Sequence, residues 1–104
     1  MILGPSGQNI YPEEVETVIN SQPYVVDSLV VEDNGGLTAL IYPDFAQGAK
    51  DGMNQDVFIK FMEDTLPELN KELPNYAKLK KIEIMSEDFE RTPKKSIKRY
   101  LYQR

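Results

Sequence analysis

The alternation of apolar and polar residues predicts two neighbouring strands joined by a tight turn. Residues 24–33 are rich in β-branched residues, and residues 37–42 form a second short apolar run. Between them lies Asn34-Gly35-Gly36, whose residues tolerate the positive φ angles of a hairpin turn. An antiparallel hairpin is therefore the best-defined element that the sequence predicts.

Helical spacing of apolar residues predicts helices on both sides of this hairpin. Pro12 to about Gln22 has Val15, Val18 and Ile19 on one face. Residues 53–66 repeat the spacing, and Pro67 either kinks that helix or starts a second set of turns up to residue 73. Residues 43–52 contain proline and glycine and are predicted to be a loop, and residues 79–86 a third strand.

The C-terminal residues 94–102 are predicted to form a last helix, because Ile97 and Leu101 are four residues apart. The order of elements predicts an α+β fold: a small mixed or antiparallel sheet of about three strands with a central hairpin, packed with helices. A length of 104 residues suits one domain, residues 1–104.

Composition excludes several kinds of chemistry. The chain has no Cys and no His, which excludes thiolate nucleophiles, histidine triads and most zinc or iron sites, so we predict no metal site here. A net charge of −5 argues against general nucleic-acid binding. We find no apolar run near the roughly 20 residues that cross a bilayer, and no secretory signal at Met1-Ile2-Leu3.

Charge is distributed unevenly along the chain. Residues 1–77 hold 3 Lys or Arg against 13 Asp or Glu, whereas residues 78–104 hold 9 against 4. A basic C-terminal stretch is either a solvated face or a local anion site, and charge alone leaves both open.

Two segments, Gly4–Glu16 and Phe89–Arg99, contain patterns of particular residue types that packing alone does not require. In the first, two glycines flank Pro5-Ser6, Pro12 sets φ for a first helical turn, and glutamates follow at the positive end of the helix dipole. A loop and helix start with such particular residues, so close to the start of the chain, suggest that a further segment belongs before it.

The two segments resemble the C-terminal subdomain of the adenylate-forming superfamily, which includes acyl-CoA synthetases, luciferases and peptide-synthetase adenylation domains. Within it the chain is most similar to long-chain fatty-acid–CoA ligases. The resemblance runs, in the family's order, through Gly7–Glu16, Pro23–Val31, Leu69–Tyr76 and Phe89–Arg99.

The resemblance implies a two-step reaction. A carboxylate and ATP give an acyl-adenylate and pyrophosphate, and a thiol, usually that of coenzyme A, then displaces AMP. ATP and Mg²⁺ would bind mainly to an N-terminal AMP-binding domain of the same chain, so this lid alone would be inactive. The acceptor is coenzyme A or the pantetheine thiol of a carrier protein, and we expect a cytoplasmic enzyme, with peripheral membrane contact as a further option.

The same resemblance implies roles for residues near both ends. Gly7, with Gln8 and Asn9 beside it, would line the pantetheine tunnel. Glu14 and Glu16 would hold the loop and helix in place, although an ordinary helix N-terminus explains them equally well. Independently of the resemblance, the basic cluster is a candidate site for the phosphates of coenzyme A, with Lys80, Lys98 and Arg99 as its main members and Lys78 and Lys81 beside them.

The chain departs from the family where a catalytic lysine is expected. Aligning Thr92, Ile97 and Arg99 with the family motif puts Ser96 at that position. Lys94 and Lys95 are the candidate replacements, and Lys95 is preferred because its long side chain can cover part of an offset of about 100° on a helix. The competing interpretation is that these lysines are solvated and adenylation proceeds without such a contact.

A second function class fits the order of elements. The chain could be a standalone ferredoxin-like α+β binding module that meets a partner through its basic C-terminal face. That hypothesis leaves Gly4–Glu16 unexplained.

Overall fold

The structure is a computed structural model that describes residues 2–3, 7, 9–33 and 35–102. Its strands are β1 (Ile2–Leu3), β2 (Asn9–Ile10), β3 (Val25–Asp33), β4 (Gly36–Pro43) and β5 (Leu79–Ile84). Its helices are α1 (Pro12–Asn20), α2 (Phe45–Lys50), α3 (Gln55–Glu63) and α4 (Leu66–Glu72). Single 3₁₀ turns cover Asn75–Ala77 and Arg99–Leu101.

The main sheet has three strands in the order β3-β4-β5. Strands β3 and β4 are antiparallel, with Leu29 opposite Leu40, and β5 runs parallel to β4, with Ile82 opposite Ala39. The hairpin prediction is confirmed, and Gly35 in its turn has φ of 77°, as that turn requires. Asn34 of the predicted turn lies outside the described residues. A mixed three-stranded sheet packed with helices confirms the α+β class.

Each face of the sheet carries its own apolar cluster because side chains alternate along a strand. One cluster packs helices α1, α3 and α4 against the sheet and includes Ile19, Ala39, Phe58, Met62 and Leu69. The opposite face presents Leu29, Val31 and Leu40 to Phe89 and other side chains of the C-terminal segment. The segment after β5 therefore completes the core.

One prediction between β4 and β5 needs correction, and one alternative of another is confirmed. Residues 43–52 are not simply a loop, since they contain helix α2, whose N-terminus is capped by the Asp44 carboxylate accepting from Gln47 N at 3.0 Å. Gly48 of α2 packs so tightly on Phe58 that an added Cβ would lie 2.6 Å from the ring. For residues 53–73, the alternative that Pro67 starts a second set of turns is confirmed. Helix α3 ends at Glu63, and Pro67 lies in the first turn of α4, where its missing N–H has no cost.

The predicted terminal helix over residues 94–102 is wrong. Arg91 pairs with Ile97 as an antiparallel bridge, Thr92 N donates to Ser96 O at 2.8 Å, and Lys98 N donates to Glu90 O at 2.8 Å. Residues 90–98 therefore form a small hairpin, here called the C-terminal hairpin. Packing of the partly buried Ile97 on the second face of the sheet prevails over the weak helical pattern.

No described helix has the length and apolar character needed to cross a membrane.

Candidate functional site

Glu16 connects three parts of the chain. Its side chain is 9% exposed, Oε2 accepts from Val30 N at 2.8 Å, and both carboxylate oxygens accept from Arg99, at 2.9 and 2.6 Å. This two-pronged geometry is the strong form of an Arg–carboxylate pair. The hydrogen bonds that Arg99 donates to Glu16 raise the pKa of Arg99, against the opposing effect of burial. Glu16 thus ties helix α1 to strand β3 and to the end of the C-terminal hairpin.

Arg91, at the base of the C-terminal hairpin, is held by a second pair of carboxylates. Its Nη2 lies 2.7 Å from Asp27 Oδ2 and 3.0 Å from Asp88 Oδ1. These hydrogen bonds, Asp27 first, raise the pKa of Arg91, so its charge is kept. Sequence reasoning missed this group, although the polar Asp27 in a strand rich in β-branched residues was a signal that could have pointed to it.

Thr92 closes the turn of the C-terminal hairpin. Its carbonyl oxygen accepts from Lys95 N at 2.8 Å, and its Oγ1 accepts from Ser96 N at 3.3 Å. Lys95 has φ of 67°, in the left-handed region that L residues rarely adopt. Ser96 and Lys95 are thus neighbours on a tight turn, so the helical offset of about 100° expected between them does not apply.

Lys95 and Ser96 border an open cleft of about 370 Å³ between the C-terminal hairpin, α1 and β3. Its lining carries three carboxylates and three cations, together with two serines and one isoleucine: Glu13, Glu16, Asp27, Ser28, Arg91, Lys95, Ser96, Ile97 and Arg99. The two arginines are already paired with carboxylates. Among the described residues, the Lys95 ammonium has no carboxylate within ion-pair distance. Lys94 is exposed and lies outside this lining.

Of the glycine loop, residues 4–9, the structure describes Gly7 and Asn9, and neither lines the cleft at Lys95. Gly7 is exposed with φ of 79°, and a Cβ added there would meet nothing within 4 Å. Asn9 pairs with Leu3 through strand β2, whereas Gln8 and Gly4-Pro5-Ser6 lie outside the described residues. Asn9 and the exposed Glu14 border a groove of about 270 Å³ whose other walls include Tyr11, Leu73, Pro74 and Tyr76.

The lysines and the arginine of the predicted basic cluster differ in the partners that their side chains contact. Lys78 Nζ donates to Asn70 O at 2.6 Å, and Lys81 Nζ lies 3.2 Å from Glu83. The aliphatic stem of Lys80 lies directly over Gly36, and its ammonium has no ion-pair partner within the described chain. Lys98 belongs to the C-terminal hairpin, and the guanidinium of Arg99 is taken up by Glu16.

Within residues 2–3, 7, 9–33 and 35–102, no three His, Cys, Asp or Glu side chains form a group that could hold a metal ion. In the cleft, the guanidinium groups of Arg91 and Arg99 are paired with carboxylates, whereas the ammonium of Lys95 is paired with no carboxylate of the described residues.

Comparison with solved structures gives close matches in fold. ATP-bound MatB from Rhodopseudomonas palustris superposes with a TM-score of 0.71 at 26% identity, over 98% of this chain and 19% of that one. The fatty acyl CoA synthetase of Mycobacterium tuberculosis gives a TM-score of 0.64 at 23% identity, over 98% of this chain and 18% of that one. The adenylation domain of a Mycobacterium chelonae carboxylate reductase gives 0.76 at 15% identity, over 97% and 17%.

This chain therefore spans less than one fifth of the length of those three proteins. Comparison with curated protein sequences found no match. The family model for the C-terminal domain of AMP-binding enzymes matches residues 1–104. The chain thus belongs to the family of AMP-binding enzyme C-terminal domains.

Proposed function

We propose that this domain is the mobile lid of an ATP-dependent acid–thiol ligase that converts a long-chain fatty acid into its acyl-CoA. In the first step a carboxylate oxygen attacks the α-phosphorus of ATP, forming the acyl-adenylate and releasing pyrophosphate. In the second step the thiol of coenzyme A attacks the acyl carbonyl, loses its proton and displaces AMP. The observation that carries the proposal is the family match over the whole chain.

The acid–thiol ligase reaction is supported by the names of structural relatives. They include a fatty acyl CoA synthetase and a benzoate CoA ligase, and MatB was solved with ATP bound. The assignment of a long-chain fatty acid as the substrate also follows from the resemblance of Gly7–Glu16 and Phe89–Arg99 to long-chain ligases. An N-terminal AMP-binding domain of the same chain would be the partner that binds ATP and Mg²⁺, in a cytoplasmic enzyme.

Lys95 is the residue that we assign to the adenylation step. It borders the polar cleft, its charge is unpaired there, and it adjoins Ser96, which stands where the family motif has lysine. A cation placed at the reacting carboxylate and phosphate would stabilise the charge that develops on them. Lys94 is the second candidate, and Thr92 shapes the turn that presents both.

The glycine loop is the part that we assign to thiol transfer. Gly7, with its positive φ and open surroundings, lets backbone approach a narrow pantetheine arm, and Gln8 and Asn9 would border it. Lys80 and Lys98 would meet the phosphates of coenzyme A, with Arg99 contributing less because Glu16 already holds it. A carrier-protein pantetheine would use the same loop.

The test is pyrophosphate release by the intact natural polypeptide across acids of increasing chain length. Long-chain fatty acids should give acid-dependent release, and acyl-CoA should accumulate only when coenzyme A is added. No release with any acid would refute the ligase. Release confined to short-chain or aromatic acids would refute the fatty-acid assignment, and transfer to a carrier protein but not to coenzyme A would refute the assigned acceptor.

A further inference from the structure

The guanidinium of Arg91 bridges two separate elements. Asp27 belongs to strand β3, and Asp88 follows strand β5 at the start of the C-terminal segment. Both carboxylates are fixed by backbone groups as well, since Asp27 Oδ1 accepts from Ser28 N at 2.8 Å and Asp88 Oδ1 accepts from Phe89 N at 2.7 Å. The Arg91 side chain is therefore anchored at both of its carboxylate contacts.

The same guanidinium also reaches the turn that carries Lys95. Its Nη1 lies 3.4 Å from the carbonyl oxygen of Lys95, a long hydrogen bond, while the Arg91 backbone pairs with Ile97. Five N–H donors in a planar fork allow one arginine to hold two carboxylates and still donate to a carbonyl. Arg91 thus joins the tip of the C-terminal hairpin to strand β3.

The tip needs such support. Lys95 is exposed and has a φ of 67°, which costs an L residue conformational energy unless its surroundings enforce it. The bonds made by Thr92 close the turn locally, but they do not fix it relative to the sheet. The contact from Arg91 supplies that second constraint.

We propose that Arg91, clamped by Asp27 and Asp88, is a positioning residue that fixes the Lys95 turn for acyl-adenylate formation. The inference rests on the proposed function and concerns its first step. Thiol transfer is assigned to Gly7 and its neighbours, and to cations that lie outside the turn of residues 92–96. Lys98, the one of them in the hairpin, is held by its own backbone bond to Glu90, so a loosened Lys95 turn should leave this step unaffected.

The test uses Arg91→Gln in the intact polypeptide, with the two steps measured separately. Acyl-adenylate formation without thiol should fall at least about tenfold, because small displacements of a catalytic group are costly. KM for the acid, and thioester formation from preformed acyl-adenylate, should stay within about twofold of wild type. Arg91→Lys should recover part of the loss, since an ammonium can pair with Asp27 but cannot span to the Lys95 carbonyl as well.

The matched control is Lys60→Gln, which removes an exposed ion pair with Asp64 at the end of helix α3, outside the lining of the cleft. It should change neither step. Equal loss of both steps in Arg91→Gln would mean that Arg91 only stabilises the fold, and wild-type rates for both would refute the inference.

Amide hydrogen exchange of the same variants gives a readout independent of activity. Arg91→Gln should speed exchange in residues 92–96 by about tenfold or more relative to wild type, while exchange in α3 stays unchanged. Unchanged hydrogen exchange in residues 92–96 would refute the inference that Arg91 holds this turn. If the wild-type protein releases no pyrophosphate with any acid, the proposed function fails, and exchange still decides whether Arg91 holds the turn.

Discussion

Glu16 shows how far one residue could be understood from the sequence. Because Glu16 follows Pro12, the sequence placed it near the N-terminus of a helix. Two roles were then open: interaction with the helix dipole, or holding the loop and helix in place. Its partner Arg99 lies 83 residues away, and no local pattern encodes such a contact. The buried carboxylate with three hydrogen-bond donors is therefore a property of the folded chain.

Replacing this carboxylate should destabilise the domain. Glu16→Gln keeps the side-chain size but leaves Arg99 without its counter-charge, which should lower the free energy of unfolding by about 2 kcal/mol. The expected loss of stability is smaller than for a fully buried ion pair because the Arg99 side chain is 37% exposed. Urea unfolding of this 104-residue chain measures the change.

Glu13→Gln is the matched control, because Glu13 is 68% exposed and its carboxylate lies 4.0 Å from the same arginine. It should change stability by less than about 0.5 kcal/mol. A Glu16→Gln effect as small as that of the control would show that the pair contributes little to the fold.

The C-terminal hairpin is the element that sequence analysis misjudged. Ile97 and Leu101 have helical spacing, but the structure packs the partly buried Ile97 against the sheet and leaves Leu101 48% exposed, so the two do not form one apolar face. Pro93 and the positive φ of Lys95 also suit a turn. Two residues at an interval of four are too few to separate a helix from a short hairpin.

The left-handed backbone at Lys95 gives a second stability prediction. Lys95→Gly should raise the free energy of unfolding by about 0.5–1 kcal/mol, since glycine adopts positive φ without a steric penalty. Lys94→Gly has no such strain to relieve and should lower it by about 0.5–1 kcal/mol. Urea unfolding compares the two, and equal destabilisation by both would contradict the turn geometry.

For the molecule as a whole, the sequence predicted the α+β class and the central hairpin. The resemblance of Gly7–Glu16 and Phe89–Arg99 also predicted the family, which the match over residues 1–104 confirms. The parallel direction of β5 could not be predicted, because an apolar strand pattern is the same in either direction. The cleft at Lys95 could not be predicted either, because it forms only where the C-terminal hairpin, α1 and β3 come together.

The domain has two edges to which we assign separate steps, one with Gly7 and Asn9 and one with Lys95 and Ser96. Different residues line the groove and the cleft, so each edge can be altered without touching the other. In a lid that serves two successive steps, this arrangement predicts that damage to one edge impairs one step.

Single-turnover acyl-adenylate formation by Lys95→Ala in the intact polypeptide tests this arrangement most directly. The rate should fall about a hundredfold, as for loss of one group that stabilises developing charge, while thioester formation from preformed acyl-adenylate stays at the wild-type rate. Lys94→Ala, the adjacent control, should reduce the first step far less. Wild-type rates of acyl-adenylate formation in both variants would contradict the assignment of this turn to catalysis.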